Sequence, residues 1–568
     1  MAVIRKIEIR HFRGIATLDW CPSTGINCLI GPGDSCKTTV LDAIDFCLGA
    51  RRNLALSDAD FFGLDVKTPI EISVTLGQLQ DDLNNLESYG LYLRGFDPKS
   101  GAIQDEPDVG LETVLTARLT VEADLEPSWS LVSQRAADQG QSRNLSWADR
   151  ATISPARLGA FADHNLSWGR ASVLNKISDE TITASAALAD LARDARLAFG
   201  QKAESGLPKA LQAVHQTAQQ LGVPVGASVK AMLDAHSVSF SGGTIALHDD
   251  RGVPLKNFGL GSKRLLVAGL QRQAAGISPI VIVDELEHGL EPHRIIRLLH
   301  ALGAKESVAP LQVFMTTHSP VAVRELSAEQ LFIIRRHAAS HHVHQVGPGP
   351  DVQGTIRLFS EALLARSVLV CEGNSEIGLV RGVDQHAVSQ NAQSITAMAG
   401  AMVNGNGDET FKRALALQSM GYRTAVLLDS DKVPTPALRD TFIANGGQVF
   451  GWSATCALED KLFRSLPDHA AWALIAYAVE AKGQDFIDSQ LRSSSAGTVT
   501  LASFTNPLQP QHRALLGAIA KSGKGWFKTV SDMEQIGRSI VGPALVQCVP
   551  SLSQPVGSIF QWFADGRD

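Results

Sequence analysis

Charge is scarce in this chain: Asp, Glu, Lys and Arg make up 19% of its 568 residues, below the roughly 25% usual for soluble domains. With hydrophobic residues at 44%, that argues against a disordered, coiled-coil or strongly solvated chain. Long hydrophobic runs are also missing. The longest uncharged apolar run, Ala470 to Val479, is about half of a membrane span, so no membrane association is expected. The seven cysteines, at 21, 28, 36, 47, 371, 456 and 548, contain no CxxC pair. This excludes a zinc ribbon and a disulfide framework and points to a reducing compartment. The opening MAVIRKIEIRHFRG alternates charged and apolar residues, as a strand does and a signal peptide does not, and a cytoplasmic location is expected. Lys plus Arg number 51 against 58 Asp plus Glu, a net charge of −7. Nucleic-acid contact therefore needs local basic surface and metal, because the overall field points the wrong way. At about 150 residues per domain the length suggests three or four domains, or fewer with large insertions.

What is present is an alternation of strands and helices. Ile4, Ile7 and Ile9 mark a basic first strand and Gly25 to Ile30 a short buried one. Gly31 to Cys36 is a turn-rich loop, and Lys37 to Leu48 a helix with apolar Val40, Leu41, Ile44 and Leu48. Pro69 to Leu76 alternates as a strand, whereas 95–150, richer in Gly, Asp, Gln and Ser, reads as irregular strands and loops. From about 178 the chain becomes alanine-rich. Ser178, Asp179 and Glu180 offer a helix start. A second helix runs from Pro208 to just before Gly222, with Leu211, Val214, Ala218 and Leu221 on one stripe. These helices read as a hairpin packing on its own chain or as an exposed arm that dimerises. Past 237 come VSF and TIAL, a helix from 262, a strand over 279–285, a helix from 292 and a strand over 311–317. Residues 337–354 hold four of the sixteen histidines among Gly and Pro, and read as a linker or hairpin tip and not a metal site. Buried strands over 367–373 and 422–431 form a second α/β unit, and the last hundred residues look mainly helical.

Gly31-Pro32-Gly33-Asp34-Ser35-Cys36-Lys37-Thr38 has the outline of the phosphate-binding loop G-x-x-x-x-G-K-[ST], after a buried strand and before a helix. Backbone N–H groups and the helix N-terminus would cradle phosphates, Lys37 would reach the β/γ-phosphates, and the Thr38 hydroxyl would touch Mg²⁺. Nucleotide-binding residues are then Gly31, Gly33, Asp34, Ser35, Cys36, Lys37, Thr38 and Thr39, with ATP and Mg²⁺ as cofactors. Cys36 stands where the second Gly belongs, a position whose conformation a Cβ penalises, and Asp34 adds negative charge near the phosphates. Slow or absent ATP hydrolysis is expected. The strand Ile280 to Val283 ends in Asp284 and Glu285. The first acid would hold Mg²⁺ through water, and the second would orient and deprotonate an attacking water. Gly259-Leu260-Gly261-Ser262 opens a helix ahead of it, and Thr316-Thr317-His318 ends a strand after it, placing a polarising His318 beside the nucleotide.

This order of phosphate loop, serine-bearing signature, DE strand and switch histidine resembles the ABC ATPase domain of the SMC-like repair proteins, as does the opening Ile7-Glu8-Ile9-Arg10-His11-Phe12-Arg13-Gly14. The resemblance implies that Ser262 contacts the nucleotide of a second subunit, so that ATP closes a homodimer, with Glu291 at the dimer-contacting D-loop. The family's Q-loop glutamine has no assigned counterpart. Lys37 and Asp284 lie far apart in sequence, so an insertion lies within this domain.

A second constellation is acidic. Glu372 follows a buried strand in Val370-Cys371-Glu372-Gly373-Asn374-Ser375-Glu376, and Glu376 starts the next helix. Asp429 and Asp431 end the strand Ala425 to Leu428, and alternation sends both aspartates to one side. Parallel strands bring such tips to a common carboxyl edge. Four carboxylates there repel unless cations compensate, and hard oxygen ligands favour Mg²⁺ or Mn²⁺. Two ions about 4 Å apart would activate a water and stabilise the leaving oxygen of a phosphodiester.

E-G-x-S-E followed by D-x-D resembles the Toprim domain of topoisomerases, primases and one group of nucleases. An ABC ATPase followed by Toprim resembles the OLD (overcoming lysogenization defect) family of nucleases. The Cys36-Lys37-Thr38 variant and the late Lys-Gly-Trp-Phe run suggest its subgroup with a degenerate phosphate loop. The resemblance implies that Glu372, Glu376, Asp429 and Asp431 hold metals, with Glu459 as an additional ligand ahead of Asp460. It also implies a late lysine facing the transition state, for which Lys521, Lys524 and Lys528 are candidates. Lys524 is preferred by its spacing to Phe527, then Lys528. The expected fold is α/β: an ABC-type P-loop ATPase over 1–170 and 238–355, a helical insertion over 171–237, and a Toprim domain with helical C-terminal elements over 356–568. The expected function is metal-dependent cleavage of DNA under control of the ATPase. Only four tyrosines exist, at 89, 92, 422 and 477, which disfavours a tyrosyl-transfer topoisomerase, and a zinc-ribbon primase is excluded. The remaining alternative is an ATP-gated DNA-binding repair clamp without nuclease activity.

Overall fold

The structure is a computed structural model. It describes residues 2–51, 54–80, 83–85, 89–145, 147–159, 165–166, 172–177, 187–188, 190–195, 198–199, 207–220, 224–227, 229–231, 247–276, 279–337, 340–348, 350–429, 436–452, 456–522 and 525–566. The chain is α/β, with helices and strands interspersed throughout. It forms two compact units. One comprises residues 1–27 and 38–316, the other residues 28–37 and 317–568.

The first unit begins with β1 (Val3–Phe12) and β2 (Ile15–Trp20). Ile7 and Ile9 are buried on one face of β1, whereas Ile4 is three residues earlier and would point away. A bulge between Ile4 and Lys6 in the pairing with β4 restores the alternation, so all three are fully buried. β3 (Ile26–Ile30) is buried along its whole length and is divided between the units. β4 (Ile70–Gly77), β5 (Leu93–Phe96), β6 (Ile103–Gln104), β7 (Glu112–Val121) and β8 (Pro127–Leu131) complete an antiparallel sheet in the order β6-β5-β7-β4-β1-β2, with β5 pairing the first part of β7 and β8 the second, Ala117 to Val121. The ten-residue β7 replaces the irregular structure expected over 95–150. Its Thr, Val and Leu residues suit a pleated, half-buried surface, and only its flanks carry the Gly and Asp residues that lowered the average.

β9 (Ala156–Arg157), β10 (Ile280–Val283) and β11 (Gln312–Thr316) form a parallel group within the same unit. Gln312 joins it to β1: the Ile4 amide donates to its Oε1 at 2.7 Å, and its Nε2 donates to the carbonyls of Ile4 and Ser23. Helix α1 (Lys37–Leu48) leads away from the phosphate loop. α2 (Pro208–Gln220) is a described helix of the alanine-rich stretch, with Val214 exposed and Ala218 buried. The helix start at Ser178, the strand VSF and residues 244–246 of TIAL lie outside the described residues, as does Leu221. α3 (Leu260–Gln273) and α4 (Pro292–Ala301) follow.

In the second unit β12 (Leu331–His337) pairs antiparallel with β13 (Ser340–Gln345) and parallel with Cys28 to Ile30. The histidine-bearing stretch is thus largely regular: His341 is buried, while His342 and His344 face outward on alternate positions. A second sheet, order β15-β14-β16-β17, is parallel throughout: β14 (Ser367–Cys371), β15 (Gly400–Asn404), β16 (Arg423–Leu428) and β17 (Gln448–Gly451). Helices α5 (Asn374–Ser389), α6 (Leu458–Ser465), α7 (Pro510–Lys521) and α8 (Val530–Ile536) surround it. Its core joins Leu369 and Leu427 of the strands to Phe463, Trp526 and Phe527. Gly378 and Gly382 let α5 approach α8 closely. A Cβ on Gly382 would lie 2.1 Å from the Glu534 carbonyl oxygen.

Candidate functional site

The phosphate loop starts at Gly31, whose φ of 150° and close approach to the Ile334 carbonyl leave no room for a Cβ. Asp34 and Cys36 both lie in the left-handed region, at φ 58° and 63°. The glycine-like conformation is therefore kept at Cys36 without the glycine, at a cost of about 1–2 kcal/mol. Lys37 is buried, and its Nζ donates to the carbonyls of Gly31 (3.1 Å) and Pro32 (2.8 Å) and to Ser35 Oγ (3.2 Å). The loop's own oxygens thus satisfy the ammonium. Gly33 and Asp34 are exposed, and Thr39 is half-buried.

In the first unit, the Thr38 hydroxyl donates to Asp284 Oδ1 at 3.2 Å, and the Thr316 hydroxyl donates to the same oxygen at 2.6 Å. The Glu285 amide in turn donates to Thr316 Oγ1 at 2.8 Å. Thr38, in the first turn of α1 and 246 residues before Asp284, thus presents its hydroxyl to the first acid after β10. A hydroxyl and a carboxylate at this separation suit Mg²⁺, a hard cation that keeps several waters. Glu285 is exposed, at a strained φ of 46°. Arg264, fully buried on α3, donates to the carbonyls of Glu285, His288 and Asp284 and so fastens the turn after β10. Ser262 Oγ accepts from Arg294 Nη1 at 3.2 Å, and Arg294 Nε pairs with Glu291 at 3.1 Å, so the signature serine and the D-loop acid share one guanidinium. His318 belongs to the second unit and is exposed.

A fully buried apolar strand, a lysine–threonine loop opening a helix, and an acid-tipped strand meeting that threonine define a P-loop ATPase domain. Residues 26–324 match the family model described as "AAA domain, putative AbiEii toxin, Type IV TA system", and the chain belongs to that family. No curated protein matches the sequence. Among solved structures the chain is similar to an SMC head bound to the C-winged helix domain of ScpA, at 16% identity and TM-score 0.31, covering 60% of this chain and 97% of that one. It is also similar to an SMC head with an extended coiled coil bound to the C-terminal domain of ScpA from Pyrococcus furiosus (13%, 0.33, 61% and 96%). A third is the SMC head domain from Thermotoga maritima (12%, 0.27, 61% and 99%). Among the described residues no helix is long and apolar enough to cross a membrane.

In the second unit a cavity of about 420 Å³ is lined by Glu372, Glu376, Asp429, Glu459, Lys521 and Lys528, together with Asn374, Ser375 and Gly407. Glu372 and Asp429 follow the adjacent strands β14 and β16, and the Asp429 amide donates to Glu372 Oε2 at 2.9 Å. Glu376 sits in the first turn of α5 and accepts from the Gly373 amide at 2.8 Å, capping its own helix. Asp429 Oδ1 accepts from Trp452 Nε1 at 3.0 Å. Glu459 enters from the first turn of α6, and Lys528 Nζ lies 2.9 Å from its Oε1. The buried Glu459 carboxylate therefore has the Lys528 ammonium as its counter-charge.

Burial, and then repulsion from Glu376, Glu372 and Glu459, pushes Asp429 up to about 8, while the Leu458 amide opposes the shift. Burial, reinforced by Glu459 and Glu372 against backbone hydrogen bonds, pushes Glu376 up to about 7. Acids that raise one another in this way are relieved by a cation, and Lys528 beside Glu459 is the one within reach. Among the described residues, however, no three His, Cys, Asp or Glu side chains are arranged to hold a metal ion. Trp452, Gly373 and the Asp429 amide direct carboxylate oxygens toward internal donors. Asp460 pairs with Arg464 at 2.7 Å and is absent from the lining, unlike Glu459. Asp431 and Lys524 lie outside the described residues. The sequence carried no sign of Trp452 as a carboxylate donor or of Arg157 near Asp284.

Proposed function

We propose that the protein is a metal-dependent DNA endonuclease whose P-loop ATPase domain controls dimer state or access to DNA. One observation carries the reading: three acids from two strand ends and the helix after one of them, a fourth from another helix, and two lysines line one cavity. When bound, Mg²⁺ or Mn²⁺ would supply the charge that activates water and stabilises the leaving oxygen of a phosphodiester. Glu372, Glu376, Asp429, Asp431 and Glu459 would hold the cations. A bound cation would take the place of the protons that burial and mutual repulsion favour on Asp429 and Glu376. Lys528, now paired with Glu459, would turn to the phosphate, with Lys524 the other choice for that role. In this reading residues 1–170 and 238–355 form the ATPase, 171–237 an inserted arm, and 356–568 a Toprim domain. Ser262 and Glu291 would meet the nucleotide of a second copy.

Supercoiled plasmid incubated with the protein and Mg²⁺ or Mn²⁺, without ATP, should be nicked or cut, and Lys37→Ala should leave this unchanged. The engagement of the carboxylates by internal donors favours a second reading, an ATP-gated DNA clamp without cleavage. Plasmid that stays intact while ATP increases its retention by the protein would select that reading and reject the nuclease.

A further inference from the structure

Arg157 belongs to no motif, yet its guanidinium lies among three carboxylates of the first unit. Nη1 is 2.8 Å from Asp42 Oδ1 and 3.0 Å from Asp45 Oδ2, and Nη2 is 3.9 Å from Asp284 Oδ2. The position follows from the fold. The two-residue strand β9 pairs in parallel with β10, with Arg157 beside Ile282, and the Leu158 amide donates to the Ile282 carbonyl. Arg157 therefore leaves the sheet two residues short of Asp284. Thr38, Asp42 and Asp45 are spaced four and three apart on α1 and share one face. The guanidinium lies along that face between the helix acids and the acid of the DE strand.

The oxygens of Asp284 divide their partners. Oδ1 accepts from Thr38 and Thr316, while Oδ2 faces Arg157. We propose that Arg157 is a positioning residue of the nucleotide site, a resident cation that holds Asp284 when no metal is bound and competes with Mg²⁺ for it. The closer pairs with Asp42 and Asp45 make this reversible, because the guanidinium can withdraw onto α1 without losing its counter-charges. A positive charge this close to the acid opposes an incoming divalent cation. Arg157 thus raises the Mg²⁺ concentration that tight nucleotide binding requires. The inference rests on the phosphate loop taking a nucleotide with Mg²⁺.

The test is fluorescent ADP binding to the full chain across a Mg²⁺ series, read as the Mg²⁺ concentration giving half of the tightening. Arg157→Gln should lower that concentration at least threefold, and Arg157→Lys, which keeps the charge, should stay nearer the wild type. Asp42→Asn should raise it, because a guanidinium held less firmly by α1 leans on Asp284; Arg13, the other partner of Asp42, keeps Asp60. The quantity is a ratio within each variant, so a lower folded fraction does not move it. If Arg157→Gln fails to fold, the rise in Asp42→Asn decides the matter. Unshifted Mg²⁺ dependence in the folded variants overturns the role of Arg157 alone, and a wild type that binds no nucleotide overturns the phosphate-loop reading with it.

Discussion

Cys36 at φ 63° and Asp429 in its acidic cavity each occupy a place that ordinary solution chemistry disfavours, and each yields a measurable consequence. At Cys36 the left-handed backbone costs about 1–2 kcal/mol with a Cβ present, whereas glycine costs about 0.5–1 kcal/mol in chain entropy. Cys36→Gly should therefore stabilise the protein by up to about 1 kcal/mol and Cys36→Val should destabilise it, as measured by urea midpoints. In the cavity, the folded-state values of Asp429 and Glu376 lie above those of the unfolded chain. Between about pH 4 and 8 the folded protein then binds more protons than the unfolded one, and stability falls as pH rises. Melting temperatures in EDTA should drop from pH 6 to pH 8.5. Asp429→Asn keeps an acceptor for Trp452 and should flatten that drop, and an unaltered slope would refute the cause assigned to it.

At the scale of elements, the glycines of α5 set the second site. Gly378 and Gly382 seat α5 against α8, and these helices begin just before Glu376 and just after Lys528. Gly382→Ala forces a Cβ against backbone and should cost about 1–3 kcal/mol. A denaturation midpoint equal to the wild type would show that the helices separate without penalty. Several elements were legible in the sequence because local chemistry decides them: the buried strand before Gly31, the helix from Lys37, the strands before Asp284, Glu372 and Asp429, and the helix from Pro292. β7 was obscured by polar flanks, and the histidine strand β13 by composition, since outward histidines alternate with a buried one. The neighbourhood of Arg157 was illegible for a stronger reason. A two-residue strand has no period, and its partners lie more than a hundred residues away on either side.

Over the whole molecule, the net charge of −7 has identifiable locations. In each unit acids follow the ends of buried strands: Asp284 and Glu285 after β10, Glu372 and Asp429 after β14 and β16. In each unit a basic side chain stands by them, Arg157 in the first and Lys528 in the second. Such a chain is poorly suited to passive binding of nucleic acid but well suited to chemistry that recruits cations. The most direct measurement is cleavage of supercoiled plasmid by wild type, Glu376→Gln and Asp429→Asn with Mn²⁺ and no nucleotide. The nuclease account predicts nicking by the wild type and a loss of at least about a hundredfold in both variants, in line with the removal of a group that acts in the transition state. Equal nicking by all three proteins, or none by the wild type, would contradict it.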